Sequence, residues 1–383
     1  MITKVAIAGY RSLRKIVLPL GQLTVVTGGN GTGKSSIYRS LRLLADIADD
    51  RAIRSLAMEG GFERARWAGP EKISRGMRAG DVPVQGTVRK GPIALQLGFQ
   101  DDDLSYSIEL GLPTNGRSLF SGDPEIKREL IWHGDKPTPS KIIADRRGPG
   151  IQAKNSAHEM VQLETSFAPY DSMVRHVSGP DAPWELGHLR RRLSAWRFYD
   201  QIRTDQDAPA RRPQIGTRTV SMSPGGEDVA AAVQTIFEIG DSHALETAID
   251  DAFPGSSLGV SSEGGLFQLQ MRQTGMLRPL GAAELSDGTL RFILLATALL
   301  TPRPPPLIVL NEPEASLHNS LMPALAGLIA RASQDSQIIV VSHNHGLVTS
   351  LMGCDAELIE LYKETGETFA ETSETPTWLW PKR

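Results

Sequence analysis

One eight-residue run constrains this chain more than any other feature. Gly28-Gly29-Asn30-Gly31-Thr32-Gly33-Lys34-Ser35 fits G-x-x-x-x-G-K-[ST], with an apolar segment, Leu23 to Thr27, before it and a helical pattern from Ser35 to about Ala48 behind it. That order, buried strand to glycine-rich turn to helix, is the context the pattern requires. Glycines let consecutive backbone N–H groups turn toward one anion, and the new helix adds the positive end of its dipole. Lys34 is then placed to reach the terminal phosphates of a nucleotide, and Ser35 to offer its hydroxyl to Mg²⁺. Gly28, Gly29, Asn30, Gly31, Thr32, Gly33, Lys34, Ser35 and Ser36 are the candidate nucleotide-binding residues.

Composition narrows the class. Of 383 residues, 40% are hydrophobic and 22% charged, which excludes wholesale disorder. The lone cysteine, Cys354, excludes a disulfide scaffold and a cysteine-rich metal site. A net charge of −3 supplies no global basic field for nucleic acid. The longest apolar stretch, Phe292 to Leu300, falls well short of the roughly 20 residues of a membrane span. The N-terminus reads as a strand rather than a secretion signal, so a soluble cytoplasmic protein is expected.

The coarse pattern is α/β. It predicts a hairpin at Val5–Ala8 and Ile16–Leu20, loop over 60–90, and paired strands at Ile93–Phe99 and Leu104–Leu110. Residues 136 to 180, rich in Pro, Gly and Ser, read as an irregular insertion. A helix over Trp184–Ser194 and a strand from Trp196 to Ile202 follow, then a polar loop from Pro209 to Gly226. Helices at 227–238 and 241–252 lead to a hairpin at 257–272. The last elements are a helix at 286–300, a strand at Leu307–Leu310, a helix near 317–332 and a strand at Gln337–Ser342.

Three distal features have a telling mutual spacing. Leu285-Ser286-Asp287-Gly288-Thr289 opens an apolar helix, with Ser286 at a plausible N-cap position and the helix end a second anion site. Leu307-Ile308-Val309-Leu310 delivers Asn311 and Glu312 to the C-terminal edge of a buried strand, where α/β proteins hold their ligands. A further strand delivers His343. Ser286 precedes Glu312 by 26 residues, and His343 follows it by 31. Ser342-His343-Asn344-His345 invites a metal reading, but no cysteine or acidic cluster accompanies it.

Together with Gly9-Tyr10-Arg11-Ser12-Leu13 near the N-terminus, this set resembles the ABC-type P-loop ATPases of the SMC, RecF and OLD-like superfamily, including soluble AAA family ATPases. The resemblance covers about 1–50 and 225–370. It matches the signature motif to Leu285–Thr289, Walker B to Leu307–Glu312, the D-loop to Ala315-Ser316-Leu317-His318 and the switch histidine to His343. The implied fold is an α/β P-loop NTPase of the ABC-type head class. It has mixed sheets, an inserted irregular and helical lobe, and a signature-helix subdomain. The implied segments are 1–135 (Walker A and an antiparallel lobe), 136–225 (insertion) and 226–383 (signature, Walker B, D-loop and histidine).

The resemblance further implies ATP and Mg²⁺ as ligands, with Lys34, Glu312 and His343 as the catalytic set. Ser35 and Asn311 fall at the metal. Ser286 and Gly288 would reach the nucleotide of a partner copy, so that two chains enclose ATP. Gln201 is the candidate for the glutamine that links nucleotide to insertion, with Gln162 behind it. Arg11 is either a phosphate contact or a surface residue. Two positions depart from the family pattern: Asp287 stands where glycine is common, and Asn311 where Walker B has aspartate. Asn keeps an acceptor oxygen but loses the charge, so weakened Mg²⁺ binding and slow hydrolysis are expected, with Glu312 intact as the base that orients water.

Two biological roles follow. One is a DNA-linked ATPase in repair or anti-phage defence, with Arg190-Arg191-Arg192 and Arg211-Arg212 as a local, ATP-gated phosphate track and a nuclease as partner. The other is an ATP-gated sensor or scaffold that switches an effector protein with little turnover. A transporter ATPase subunit fits the motifs but not their layout, since Ser286 follows Lys34 by 252 residues.

Overall fold

A computed structural model describes residues 1–85, 94–114, 118–163, 167–179, 182–200, 202–374 and 376–381. The chain divides into two compact units. The first comprises 1–21, 26–196 and 358–383, the second 22–25 and 197–357.

The first unit is built on an eight-stranded sheet. Its strands are β1 (Ile2–Tyr10), β2 (Leu13–Pro19), β4 (Leu95–Asp101), β5 (Leu104–Gly111), β6 (Glu125–His133), β7 (Ile142–Arg147), β8 (Gly150–Lys154) and β9 (Met160–Gln162). The order is β2-β1-β4-β5-β6-β7-β8-β9, and every neighbouring pair is antiparallel. The C-terminal segment packs against this sheet through Trp378, whose ring lies tilted against Trp132 with centroids 5.5 Å apart, beside Ala6 and Leu130.

Here the structure corrects one expectation. The stretch from 136 to 180 is not irregular as far as Gln162, because β7, β8 and β9 extend the sheet. No alternation betrayed them, since their buried face carries charge. Glu129 and Arg146, both fully buried, pair at 3.9 Å. Arg128 clasps Asp145 through two hydrogen bonds of 3.1 and 3.0 Å. Glu129 also accepts from the Tyr106 hydroxyl and the Met173 amide, so the buried carboxylate is satisfied rather than orphaned. Residues 60–90 likewise hold two short helices, Phe62–Ala65 and Arg75–Ala79, where loop was expected.

Within this unit, the end of strand β3 (Leu23–Gly28) turns into helix α1 (Lys34–Ile47). Eleven of its fourteen residues are buried, so packing fixes the helix whose first turn faces the glycine loop.

The second unit centres on parallel strands. β10 (Arg197–Tyr199) lies beside Leu307–Asn311, which lies beside Gln337–Val341. Leu307 to Leu310 are completely buried, each contributing about 1.5–3 kcal/mol of apolar burial. A run apolar on both faces is what a central parallel strand needs. Helices Val229–Ile239, Ser242–Ala252, Asp287–Leu299 and Met322–Ala332 pack around it, and the hairpin Ser257–Glu263/Leu266–Arg272 forms a separate small sheet with Gln214–Ile215 and Leu280–Gly281. The helix expected from 317 begins only at Met322, after a tight turn at Asn319–Leu321 capped by His318. No helix among the described residues is long and apolar enough to cross a membrane.

Candidate functional site

The candidate residues fall in two groups, one in each unit. In the first unit the glycine loop has the backbone its sequence demands. Gly28 (φ +140°) and Gly33 (φ +112°) occupy conformations that L side chains rarely adopt. Space forbids a side chain as well. A Cβ on Gly28 would lie 2.3 Å from the Leu361 carbonyl oxygen, and one on Gly33 would lie 2.6 Å from Thr368 Oγ1. Thr368, fully buried, donates to the Thr32 carbonyl at 2.7 Å and bonds Ser12 Oγ at 2.8 Å. Lys34 Nζ donates to the Gly28 and Gly29 carbonyls at 2.6 and 2.9 Å, and Lys363 reaches the Gly31 carbonyl at 3.4 Å.

Helix α1 starts with no side-chain cap and no acidic residue in its first turn. Its positive dipole end meets no carboxylate of its own first turn. Ser35 is exposed on that turn and Ser36 is buried behind it; Gly29, Asn30 and Gly31 are exposed. The arrangement is a cradle for an anion. Arg11 does not join it, because its guanidinium grips Glu59 at 2.7 and 3.1 Å. A cavity of about 630 Å³ elsewhere in this unit is lined by residues such as Ile47, Ile108 and Phe120, and by none of the loop. Gln162 is exposed on edge strand β9, and Gln201 lies outside the described residues.

In the second unit the strand Leu307–Asn311 delivers its polar residues as expected. Asn311 Oδ1 is buried with no hydrogen-bond partner. Such an orphaned acceptor fits a water or a metal-bound water, so the residue suits a Mg²⁺ site. No cluster of three or more His, Cys, Asp or Glu fit to hold a metal occurs among the described residues. Glu312 takes φ +49°, its N–H held by the Val341 carbonyl at 2.8 Å. That unusual backbone turns its carboxylate out, 44% exposed, with Oε1 at 3.7 Å from His343 Nδ1.

Two supporting residues had no role assigned from the sequence, and a third had a different one. Arg291, the only charged residue in an apolar helix stretch, donates to the carbonyls of Ile202, Glu312 and Pro313 at 3.1, 3.0 and 3.2 Å. Burial lowers its pKa, and the neighbouring Glu314 and Glu312 charges oppose that shift. A lone arginine amid Leu290–Leu300 was the available signal, since a buried charge must have partners. Glu314 accepts from Ser342 Oγ at 2.7 Å. Arg211 is the third, and it reshapes the signature loop.

Ser286 caps the helix Asp287–Leu299 as expected, accepting from the Thr289 amide at 3.2 Å. Asp287 is held by Arg211 at 2.7 Å, and the same guanidinium donates to the carbonyls of Leu285 and Ala282 at 2.7 and 3.0 Å. The charge that departs from the family glycine is thereby matched by a cation. Gly288 is pressed against the D-loop, where a Cβ would sit 2.9 Å from the Ser316 carbonyl oxygen. Three other arginines of the expected track have partners within the fold: Arg192 pairs with Asp101, Arg212 with Asp207, and Arg190 leans on the Arg175 carbonyl.

The fold and motifs are those of a P-loop ATPase. Residues 23–349 match the family described as "AAA domain, putative AbiEii toxin, Type IV TA system", and the chain belongs to that family. No curated protein matches the sequence. Among solved structures, the chain is similar to an SMC head bound to the C-winged helix domain of ScpA (16% identity, 97% of each chain, TM-score 0.55). It is also similar to the Pyrococcus yayanosii SMC head with a coiled coil and joint (13% identity, 98% of this chain and 97% of that one, TM-score 0.52). The SMC head with an extended coiled coil bound to the C-terminal domain of ScpA, from Pyrococcus furiosus, gives 14% identity, 97% and 96% coverage and TM-score 0.51. At these identities the likeness is one of fold.

Proposed function

We propose that the chain binds ATP at the Gly28–Ser35 loop and hydrolyses it slowly, two copies closing around the nucleotide. The observation that carries this reading is the loop itself, with Gly28 and Gly33 at positions that leave no space for a side chain and a helix start with no side-chain cap and no acidic residue in its first turn. Lys34 exchanges its bonds to the loop carbonyls for phosphate oxygens. Ser35 and Asn311 would hold Mg²⁺, directly and through water, and the ion would neutralise developing phosphate charge. Glu312 orients the attacking water, and His343 meets the γ-phosphate. Ser286, Gly288 and the helix start behind them serve the nucleotide of the partner copy. The test is titration with a fluorescent ATP analogue: wild type binds, and Lys34→Ala loses at least about tenfold in affinity. Equal affinity in the variant contradicts the assignment.

For the biological task, the switch reading gains from two observations. Asn311 removes a charge from the Mg²⁺ site, and most of the candidate DNA-contacting arginines are already paired within the fold. We therefore favour an ATP-gated switch acting on a partner protein. The family description names a toxin of a toxin–antitoxin system, which supports a defence setting. DNA binding that appears only with ATP and falls steeply with salt would restore the repair or defence ATPase with a nuclease partner.

A further inference from the structure

Glu314 has no part in the hydrolysis scheme, yet it is a carboxylate only 6% exposed. Burying a carboxylate costs several kcal/mol unless its oxygens are well bonded. Its bonds go to one place. Oε1 accepts from Ser342 Oγ at 2.7 Å and from the His343 amide at 3.3 Å, and Oε2 is buried with no hydrogen-bond partner. The neighbouring Arg291 spends its guanidinium on carbonyl oxygens.

The far side of the histidine is fixed as well. Ser342 Oγ accepts from the Asn344 amide at 3.1 Å, and Asn344 caps the helix His345–Met352 through the Leu347 amide at 3.0 Å. His343 therefore projects, 55% exposed, from a backbone pinned on both flanks. Its Nδ1 lies 3.6 Å from Glu314 Oε1 and 3.7 Å from Glu312 Oε1. Those separations are too long for hydrogen bonds but well within Coulombic reach. A lone pair on Nδ1 would face two anionic oxygens; an N–H there faces them with the opposite sign.

We propose that Glu314 is a positioning residue for His343, anchoring its backbone and keeping the proton on Nδ1. This rests on the ATPase reading for its role in turnover, but not for its geometry. The consequence concerns Nε2. In a neutral ring protonated at Nδ1, Nε2 is an acceptor. It then takes a hydrogen from water rather than offering one to a phosphate oxygen, and donates only when the ring is charged.

The test is two-bond ¹H–¹⁵N correlation on full-length protein labelled at histidine, with His343 assigned by its loss in His343→Gln. The wild-type neutral ring should show the Nδ1-protonated pattern, and Glu314→Gln, which can still accept from Ser342, should move it toward the Nε2-protonated form. In parallel, because the neutral ring then offers Nε2–H to the γ-phosphate, Glu314→Gln should raise kcat severalfold with KM for ATP within about twofold. An Nε2-protonated wild type, or an identical pattern in Glu314→Gln, overturns the proposal. Should Glu314→Gln not fold, Ser342→Ala removes one anchor alone; it should shift the pattern the same way, and no shift overturns the proposal. A wild type that hydrolyses no ATP would defeat the ATPase reading, while the nitrogen spectra still judge Glu314.

Discussion

Arg291, one turn into the signature helix, donates to the carbonyl oxygen of Glu312 at 3.0 Å. A residue on the helix that Ser286 caps thus helps hold the backbone of the candidate general base, which stands at φ +49°. Arg291→Met would keep the stem's packing and take the arginine donor from the buried Ile202 and Pro313 carbonyls, while the Glu312 carbonyl keeps the Ala315 N–H at 3.1 Å. At about 1–3 kcal/mol for each group left unsatisfied, partly relieved by rearrangement, a loss of roughly 3 kcal/mol is expected. Thermal denaturation should show it as a clear drop in Tm. An unchanged Tm would mean the three bonds carry no weight.

Asn311→Asp tests the departure in Walker B. The Oδ1 atom is buried and unpartnered, so a carboxylate there has room to act on the metal's water. Half-saturating Mg²⁺ should fall, and turnover should rise about tenfold, the scale of an outer-shell metal contact. Steady-state phosphate release across a Mg²⁺ series measures both. Identical curves would show that Asn311 does not serve the metal.

Gly33→Ala and Gly288→Ala separate the two halves of the site. Gly33 stands at φ +112° with Thr368 Oγ1 in the path of a Cβ, so alanine distorts the loop and ATP affinity should fall more than about tenfold. Gly288→Ala pushes on the Ser316 carbonyl oxygen. It should leave ATP affinity of the monomer intact and weaken only the ATP-dependent association. The two variants behaving alike would contradict a divided site.

The glycine loop was legible because its geometry depends on local residues alone: glycines at fixed offsets and a lysine at the helix start. Leu307–Leu310 was legible for a similar reason, as a strand buried on both faces reads as an unbroken apolar run. Strands β7 and β8 were hidden because Arg146 and Asp145 point charges into the core, and their partners, Glu129 and Arg128, are distant in sequence. Arg211 was read as a candidate DNA contact for the same cause: nothing local reveals that it closes on Asp287, 76 residues away. Glu314 and Arg291 became visible only once tertiary contacts gave each its partners.

The central claim is that ATP draws two copies together around a site to which each contributes half. Glu312→Gln, which keeps the side chain's size and removes the base, isolates that step. With ATP and Mg²⁺, light scattering coupled to size exclusion should give twice the monomer mass of 41.6 kDa. Without nucleotide, or with Lys34→Ala added, the monomer mass should return. A Glu312→Gln protein that binds ATP to saturation and still elutes only as monomer would contradict the account.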